Sequence, residues 1–153
     1  MKVAVGTDHA GFPIKQSVIE AVEELGHEVI DVGTFTDAQS VDYPDFAYKV
    51  GKTILDGLAE RGIIICGSGV GACIAANKMD GIYAAICHDT YSAHQGVEHD
   101  GMNVLCLGGR IVGPSLVYEI VQSFLNAQVE EAERHQKRRS KIKGIESGTY
   151  KGE

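Results

Sequence analysis

The chain is predicted to form one α/β domain, spanning residues 1–153, in which helices cover both faces of a parallel β-sheet. Its 153 residues are enough for a single domain with a substantial core. Short apolar segments alternate with segments of helical spacing, and the connections fit crossovers between parallel strands. A glycine-rich turn directly follows the central strand, where ligands bind in such folds. We therefore expect a three-layer α/β/α architecture around a five-stranded sheet.

The part of the chain before the glycine-rich turn is predicted to supply two strands and two helices. Strands are expected at residues 2–6 and 28–32, where β-branched residues are concentrated. A helix over residues 12–25 follows from apolar residues at helical spacing, and Gly26 is a typical stop. The same spacing predicts a helix over residues 45–55.

The central strand and the rest of the chain repeat this alternation. Three consecutive isoleucines at residues 63–65 indicate a buried strand. The remaining elements are predicted as a helix over residues 72–79, a strand over 81–87, a short helix over 91–98, a strand over 103–107, a helix over 115–125 beginning beside Pro114, and a last helix over 129–145.

The glycine-rich turn, Gly67-Ser68-Gly69-Val70-Gly71, separates Cys66 at the strand end from the following helix. Backbone N–H groups in such a turn point toward one spot, and the helix N-terminus adds partial positive charge there. We expect an anion or a developing oxyanion at that spot, beside a thiol and a hydroxyl. The same environment favours a thiolate. A small core residue is the alternative interpretation of Cys66, and the pattern leaves both open.

Further polar residues fall at the predicted carboxyl ends of strands. Asp8 and His9 follow the first strand, and Arg110 follows the fifth. Because these strand ends share one edge of a parallel sheet, the three residues are expected to line one crevice with Cys66 and Ser68. Each also has a structural alternative. Asp8 can fix its loop through an Asx-type hydrogen bond, His9 can cap a helix, and Arg110 can be a surface charge.

Composition and charge argue against several classes of protein. No apolar run approaches the length of a membrane span, and no signal-peptide pattern opens the chain, so a cytoplasmic location is expected. A net charge of -7 argues against general nucleic-acid binding. The four cysteines include no C-x-x-C pair and indicate neither a disulfide framework nor a zinc site.

One basic cluster is unusual in this acidic chain. Six of the 14 basic residues fall within residues 134–143. Arg134 and Arg138 are four positions apart and therefore share one face of the last predicted helix. Most charge runs are solvated faces, but two arginines at this spacing can also bind one phosphate group.

Several ordered motifs run through nearly the whole chain. The most specific is Cys66-Gly67-Ser68-Gly69-Val70-Gly71, followed by Ala75-Ala76-Asn77-Lys78. The others are Val5 to Phe12, Asp31 to Thr34, Val41 to Pro44, Asn103 to Leu105, Gly109-Arg110 and Arg134-His135. Together they resemble the ribose-5-phosphate isomerase B family, which includes galactose-6-phosphate and allose-6-phosphate isomerases. The resemblance covers about residues 2 to 143 and implies a Rossmann-like sheet with strand order 2-1-3-5-4.

The resemblance implies an isomerase that interconverts aldose and ketose phosphates without a metal or other cofactor. The most direct expectation is D-ribose 5-phosphate to D-ribulose 5-phosphate, through an enediolate. Cys66 would be the base that moves the proton between C1 and C2, and Ser68 the hydroxyl that assists. His99 would open the sugar ring, although simple topology places a residue before the fifth strand at the opposite edge of the sheet.

The resemblance also implies how the substrate is bound. Asp8 and Tyr43 would hold sugar hydroxyls, with Asp100 beside them. The family forms homodimers, often paired into tetramers, with a site shared between subunits. Phosphate would therefore be bound by His9 and Arg110 of one subunit and by Arg134 and Arg138 on the partner's last helix. The backbone N–H groups of Gly67, Gly69, Val70 and Gly71 are expected to stabilise the enediolate.

Three positions depart from the family pattern. Asp100 stands where asparagine is common, and a carboxylate accepts hydrogen bonds but cannot donate them. The segment Glu130-Glu131-Ala132-Glu133 replaces residues that are often glycine, and Tyr83 replaces a common arginine. These departures leave the choice between pentose and hexose phosphates open.

A nucleotide-binding module is the first alternative. Gly67-x-Gly69-x-x-Ala72 matches a dinucleotide fingerprint, and Asp89 lies about twenty residues later, where a ribose-binding acid is expected. Against this, the turn follows the third strand rather than the first. A dehydrogenase would also need a second, substrate-binding region, for which this chain has no residues to spare.

A metal-dependent isomerase or aldolase is the second alternative. It would need clustered histidine and carboxylate ligands. Asp8-His9 and His99-Asp100 are the pairs best placed for such a site.

Overall fold

Five strands form one parallel sheet in the order β2-β1-β3-β5-β4, in a computed structural model that describes residues 1–152. The order confirms the prediction. The strands are β1 (Lys2–Thr7), β2 (Glu28–Asp31), β3 (Arg61–Cys66), β4 (Ala84–Ile86) and β5 (Val104–Gly108). All four strand pairs are parallel, and the three central strands are nearly completely buried.

Helices cover both faces of the sheet. They are α1 (Phe12–Glu24), α2 (Tyr43–Leu55), α3 (Val70–Ala76), α4 (Thr90–Asp100), α5 (Pro114–Asn126) and α6 (Glu133–Glu146). None of the helices within residues 1–152 is long and apolar enough to cross a membrane.

The core is divided into two layers because successive strand residues point to opposite faces of the sheet. Val5, Ile63 and Leu105 belong to the layer packed against α1, α4 and α5. Ile64 and Cys106 belong to the layer under α2 and α3. The alternation explains why the strands are apolar on both sides and why no polar face is seen along them.

The strand register places the ligand-binding edge. Cys66, the last residue of β3, pairs with Gly108, the last residue of β5. The N–H of Gly109 then donates to the carbonyl of Cys66 at 2.8 Å. The loops after β1, β3 and β5 consequently begin side by side at one edge.

The last helix begins at Glu133, not at residue 129 as predicted. The N–H of Glu130 donates to the carbonyl of Glu98 on α4 at 2.8 Å, and Ala132 has an extended ψ of 132°. The segment before α6 therefore crosses α4 in a non-helical conformation.

Three other boundaries differ from the prediction. The short helix α4 continues through His99 and Asp100, which the sequence places in a turn, and ends where Gly101 adopts a φ of +73°. Tyr43 is the first residue of α2 rather than part of the preceding loop. The helix after the glycine-rich turn begins at Val70 and ends at Ala76, whereas a helix over residues 72–79 was expected. The side chain of Asn77 then hydrogen-bonds to the backbone N and O of Ala84, both at 2.8 Å. The following strand covers only Ala84–Ile86 and is therefore shorter than the expected 81–87.

Candidate active site

An open cavity of about 380 Å³ lies at the carboxyl ends of the three central strands. Its polar lining combines a thiol, a hydroxyl, a carboxylate, an imidazole, a phenol and a guanidinium, from Cys66, Ser68, Asp8, His9, Tyr43 and Arg110; Gly67 and Gly71 complete the turn beside them. A larger depression of about 600 Å³ lies at the opposite edge of the sheet, and its lining contains no thiol, hydroxyl or imidazole. The reactive groups are therefore gathered in the first cavity.

Cys66 is positioned by the turn that follows it. The residue is 4% exposed, and the N–H of Gly69 donates to its Sγ at 3.1 Å. Gly69 has a φ of +83°, which residues with a side chain rarely adopt, and a Cβ there would lie 3.2 Å from the backbone carbon of Leu107. Glycine is thus required for the turn that directs this N–H at the sulfur.

Ser68 and the start of α3 provide further polar groups. The N–H of Val70 donates to Ser68 Oγ at 3.3 Å, which leaves the serine hydroxyl proton for another acceptor. The N–H of Gly71 lies in the first turn of α3, where a helix offers no intrahelical acceptor. The ring of Tyr43 packs directly on Gly71, since a Cβ there would lie 2.5 Å from Tyr43 Cζ.

Asp8 holds the loop after β1 in the Asx-type arrangement that the sequence left open. Its Oδ1 accepts hydrogen bonds from the N–H groups of Ala10 and Gly11, both at 2.9 Å. Asp8 is 5% exposed and lines the cavity. The second carboxylate oxygen, Oδ2, is the one placed to accept from a ligand.

His9 and Arg110 supply an imidazole and a guanidinium to the cavity. The Nδ1 of His9 contacts the backbone of Val41, with its N at 3.1 Å and its O at 3.2 Å, so Nε2 is the nitrogen available to a ligand. The N–H of Arg110 donates to the carbonyl of Gly67 at 3.1 Å, and a Cβ on Gly67 would lie 3.5 Å from its Nη1. The guanidinium therefore lies over the glycine-rich turn.

Four of the predicted charged or imidazole side chains do not line this cavity: His99, Asp100, Arg134 and Arg138. His99 and Asp100 belong to the last turn of α4, on the side from which the chain enters β5. Arg134 and Arg138 are exposed on α6. Within one chain, the side chains assigned by resemblance thus form two separate groups.

His99 is held by a network of its own. Its ring stacks on that of His135, with centroids 3.9 Å apart and planes 16° from parallel. The side chain of Gln95 contacts His99 Nδ1 at 2.7 Å, and Arg139 Nη1 donates to the His99 carbonyl at 3.1 Å. His135 is buried, and this burial, with His99 and Arg134 nearby, lowers its pKa.

Two residues that depart from the family pattern also lie outside the Cys66 cavity. Asp100 lines a groove of about 210 Å³ with Tyr83 and Ile142. The hydroxyl of Tyr83 donates to Glu146 Oε2 at 3.1 Å, and the N–H of Gly81 donates to the other oxygen at 2.9 Å. Tyr83 therefore fixes the end of α6.

The dinucleotide alternative finds no support at Asp89. Its carboxylate caps α4 by accepting from the N–H of Ser92 at 2.7 Å. Asp89 does not line the cavity at the glycine-rich turn. Its place in the chain is explained by helix capping.

The other cysteines differ in environment. Cys87 and Cys106 are buried as predicted, and burial raises the pKa of Cys87 to about 11. Cys73 was also predicted to be a core residue, but it is only half-buried, at the edge of the core layer beside Ala84. Contact with Cys106, together with a hydrogen bond from Asn77, lowers the pKa of Cys73 to about 7.

Sequence reasoning missed Gln95 and Glu130 as neighbours of His99, and gave His135 no role. Gln95 lies four residues before His99 in a predicted helix, a spacing that brings side chains together. His135 lies in a strongly charged segment, and nothing in that pattern indicates that it is the buried residue of α6.

Comparison with known proteins identifies close relatives. A family model described as Ribose/Galactose Isomerase matches residues 3–142. Ribose-5-phosphate isomerase B of Escherichia coli is 44% identical over 145 residues, covering 95% of this chain and 96% of the relative. D-erythrulose-4-phosphate isomerase of Pectobacterium atrosepticum is 39% identical over 130 residues, covering 85% and 86%. The structure of Clostridium thermocellum ribose-5-phosphate isomerase B superposes with a TM-score of 0.92 at 44% identity, covering 97% of this chain and 99% of that one.

Proposed function

The chain belongs to the ribose/galactose isomerase family, and we propose that it interconverts D-ribose 5-phosphate and D-ribulose 5-phosphate in the cavity at Cys66. It is an aldose–ketose isomerase of sugar phosphates. The observation that supports this function most strongly is the Gly69 N–H directed at a buried thiol, in a cavity that also contains His9 and Arg110. The cavity thus combines a candidate base with two side chains that can donate hydrogen bonds to a phosphate group.

The proton transfer follows from this geometry. The Cys66 thiolate takes the proton from C2 of the open-chain aldose, and the electrons of the C–H bond move to form the enediolate. A proton then passes from O2 to O1 through the Ser68 hydroxyl, and the thiol returns its proton to C1, which gives the ketose with its carbonyl at C2. The Ser68 hydroxyl and the N–H of Gly71 are placed to stabilise charge on the substrate oxygens, and such preorganised donors make large contributions to catalysis.

The second group of residues, His99, Asp100, Arg134 and Arg138, is proposed to serve the cavity of a partner subunit. His135 is the buried residue of α6, so most of this helix is exposed in one chain. Ile74 on α3 is 58% exposed and Tyr91 on α4 is 66% exposed. A homodimer that covers these side chains would bring His99 to the sugar ring and the two arginines to the phosphate.

We also propose a cytoplasmic location. All four cysteines are free thiols. Oxidation would remove the proposed base at Cys66, and Cys73 is also open to oxidation because its pKa is lowered to about 7. Reducing compartments keep such thiols free.

Turnover of ribose 5-phosphate in deuterated water tests the function. We expect ribulose 5-phosphate as product, with deuterium at C1 wherever the Cys66 thiol exchanges its hydrogen with the solvent before returning it. The panel should include allose 6-phosphate, galactose 6-phosphate and erythrulose 4-phosphate, because Asp100 and Tyr83 depart from the usual residues. Failure to turn over ribose 5-phosphate, with activity on one of the others, would reassign the substrate. Inactivity on all four would reject the isomerase function.

A further inference from the structure

The side chain of His88 bonds to β5 just beyond the point where the pairing of β4 with β5 ends. The register between these strands stops at Ile86 and Cys106. Further along β5, the N–H of Gly108 donates to His88 Nε2 at 2.9 Å. An imidazole nitrogen therefore takes the place of the strand carbonyl to which this N–H would donate if the ladder continued.

This hydrogen bond fixes the protonation state of the His88 ring. A backbone N–H can only donate, so Nε2 has a lone pair and the proton of the neutral imidazole is on Nδ1. Burial lowers the pKa of His88, although the neighbouring Asp89 carboxylate acts in the opposite direction. The ring is consequently neutral at neutral pH and serves as an acceptor.

The peptide group that His88 holds packs against the glycine-rich turn. A Cβ on Gly69 would lie 3.2 Å from the carbonyl carbon of Leu107 and 3.4 Å from the nitrogen of Gly108. A Cβ on Gly108 would lie 2.9 Å from both the carbonyl carbon and the carbonyl oxygen of Ser68. The Leu107–Gly108 peptide thus supports the backbone that carries the Ser68 hydroxyl and the Gly69 N–H.

The loop after β5 is held by contacts of its own. The N–H of Gly109 donates to the carbonyl of Cys66 at 2.8 Å, and the N–H of Arg110 donates to the carbonyl of Gly67 at 3.1 Å. Neither bond involves His88. Loss of the His88 acceptor should therefore disturb the glycine-rich turn more than it disturbs the position of Arg110.

We propose that His88 is a positioning residue for the isomerase, because its bond to the Gly108 N–H holds the peptide that aims the Gly69 N–H at Cys66. His88 itself does not line the cavity. Without this acceptor, the Gly108 N–H is left unpaired and the peptide rotates toward another partner. The turn packed on it then shifts, and proton transfer slows. The effect on catalysis rests on the proposed function, whereas the effect on the turn does not.

Steady-state kinetics with ribose 5-phosphate test the effect on catalysis. His88→Leu removes the acceptor, and kcat should fall about ten- to a hundredfold with little change in KM, since small displacements of reacting groups have effects of this size. His88→Gln should restore most of kcat, because its amide oxygen is as many bonds from Cα as Nε2 is. His27→Leu, at a half-buried histidine just before β2, is the matched control and should keep both constants. Normal kcat in folded His88→Leu, or equal losses in the leucine and glutamine variants, would overturn the catalytic role.

Amide NMR spectra of the full-length, ¹⁵N-labelled protein give a readout that does not depend on turnover. We expect a through-hydrogen-bond coupling between the Gly108 nitrogen and His88 Nε2. In His88→Leu the Gly108 amide should exchange faster and the Gly69 amide resonance should move, whereas His88→Gln should resemble the unmodified protein. If His88→Leu does not fold, His88→Asn replaces it, because its oxygen lies one bond short of the position of Nε2.

The two measurements separate the positioning role from the proposed function. A Gly69 resonance that stays in place without the acceptor would overturn the positioning role, whatever the activity of the protein. A Gly69 resonance that moves, in a protein that turns over none of the sugar phosphates, would support the positioning of the turn and reject the isomerase function alone.

Discussion

The N–H of Gly69 donates a hydrogen bond to the Sγ of Cys66 at 3.1 Å. This contact joins the turn to the proposed base and leads to two predictions, one for each residue.

Cys66→Ala is expected to reduce turnover of ribose 5-phosphate by about 10²- to 10⁴-fold, because a positioned base typically contributes that much. The loss of one buried sulfur should lower the free energy of unfolding by only about 1–2 kcal/mol. A coupled isomerase assay and thermal unfolding measure the two effects. Cys73→Ala is the control and should retain activity. Near-normal turnover by Cys66→Ala would show that the base lies elsewhere.

Gly69→Ala is expected to lose both stability and activity. The positive φ of +83° costs a residue with a side chain about 1–2 kcal/mol, and the added Cβ presses on the backbone of Leu107. Gly57→Ala is the matched control, since Gly57 has a φ of +71° and a Cβ there would meet nothing within 4 Å. Denaturant unfolding should show a loss in both variants, whereas the activity loss should be confined to Gly69→Ala.

His99→Asn is expected to separate ring opening from proton transfer. Turnover of ribose 5-phosphate, which is mostly cyclic, should fall strongly, whereas turnover of erythrulose 4-phosphate should fall little. Asparagine keeps a polar side chain of similar size but cannot exchange protons near neutral pH. Equal losses with both substrates would assign His99 a structural function instead.

A subunit-mixing experiment tests the shared site. Homodimers of Cys66→Ala and of Arg134→Ala/Arg138→Ala should each be nearly inactive. After mixing and re-annealing, about half of the dimers are heterodimers with one intact site, so activity should recover to roughly a quarter of the unmodified value. Native mass spectrometry verifies that heterodimers form. Heterodimers without activity would place the arginines on the same chain as their thiol, or outside the reaction.

The pKa of His135 predicts a pH dependence of stability. Burial lowers this pKa below 6.5 in the folded protein, so the unfolded chain binds the proton first. Stability should therefore fall as the pH decreases through about 6.5. Because burial lowers the pKa of His88 in the same direction, His135→Gln should flatten this dependence without abolishing it. An unaltered slope of melting temperature against pH in His135→Gln would contradict the prediction.

The sheet and the Cys66 cavity could be predicted because their signals are local. Three isoleucines and a glycine-rich turn specify a strand and the loop after it, and parallel strands bring the residues after them to one edge. The strand order came from family resemblance, since periodicity alone does not distinguish β5-β4 from β4-β5 at the end of a sheet.

The surroundings of His99 could not be predicted because they depend on packing between distant segments. The backbone contact of Glu130 with Glu98 changes where α6 begins, and no local propensity indicates it. The burial of His135 follows from this path. A charged helical segment normally lies on the surface, so its pattern gives no sign of a buried histidine.

The weak attachment of α6 has a consequence for inactivation. The helix contributes one buried side chain to its own subunit, while Tyr83 and Arg139 anchor it mainly through polar contacts. Elements with so little buried apolar surface open with small free energies, well below that of global unfolding. Amide hydrogens of α6 should exchange with solvent long before those of β3, and heating should displace the two arginines that we propose to bind phosphate before the sheet melts. The enzyme would then lose activity reversibly below its melting temperature, and substrate would protect it.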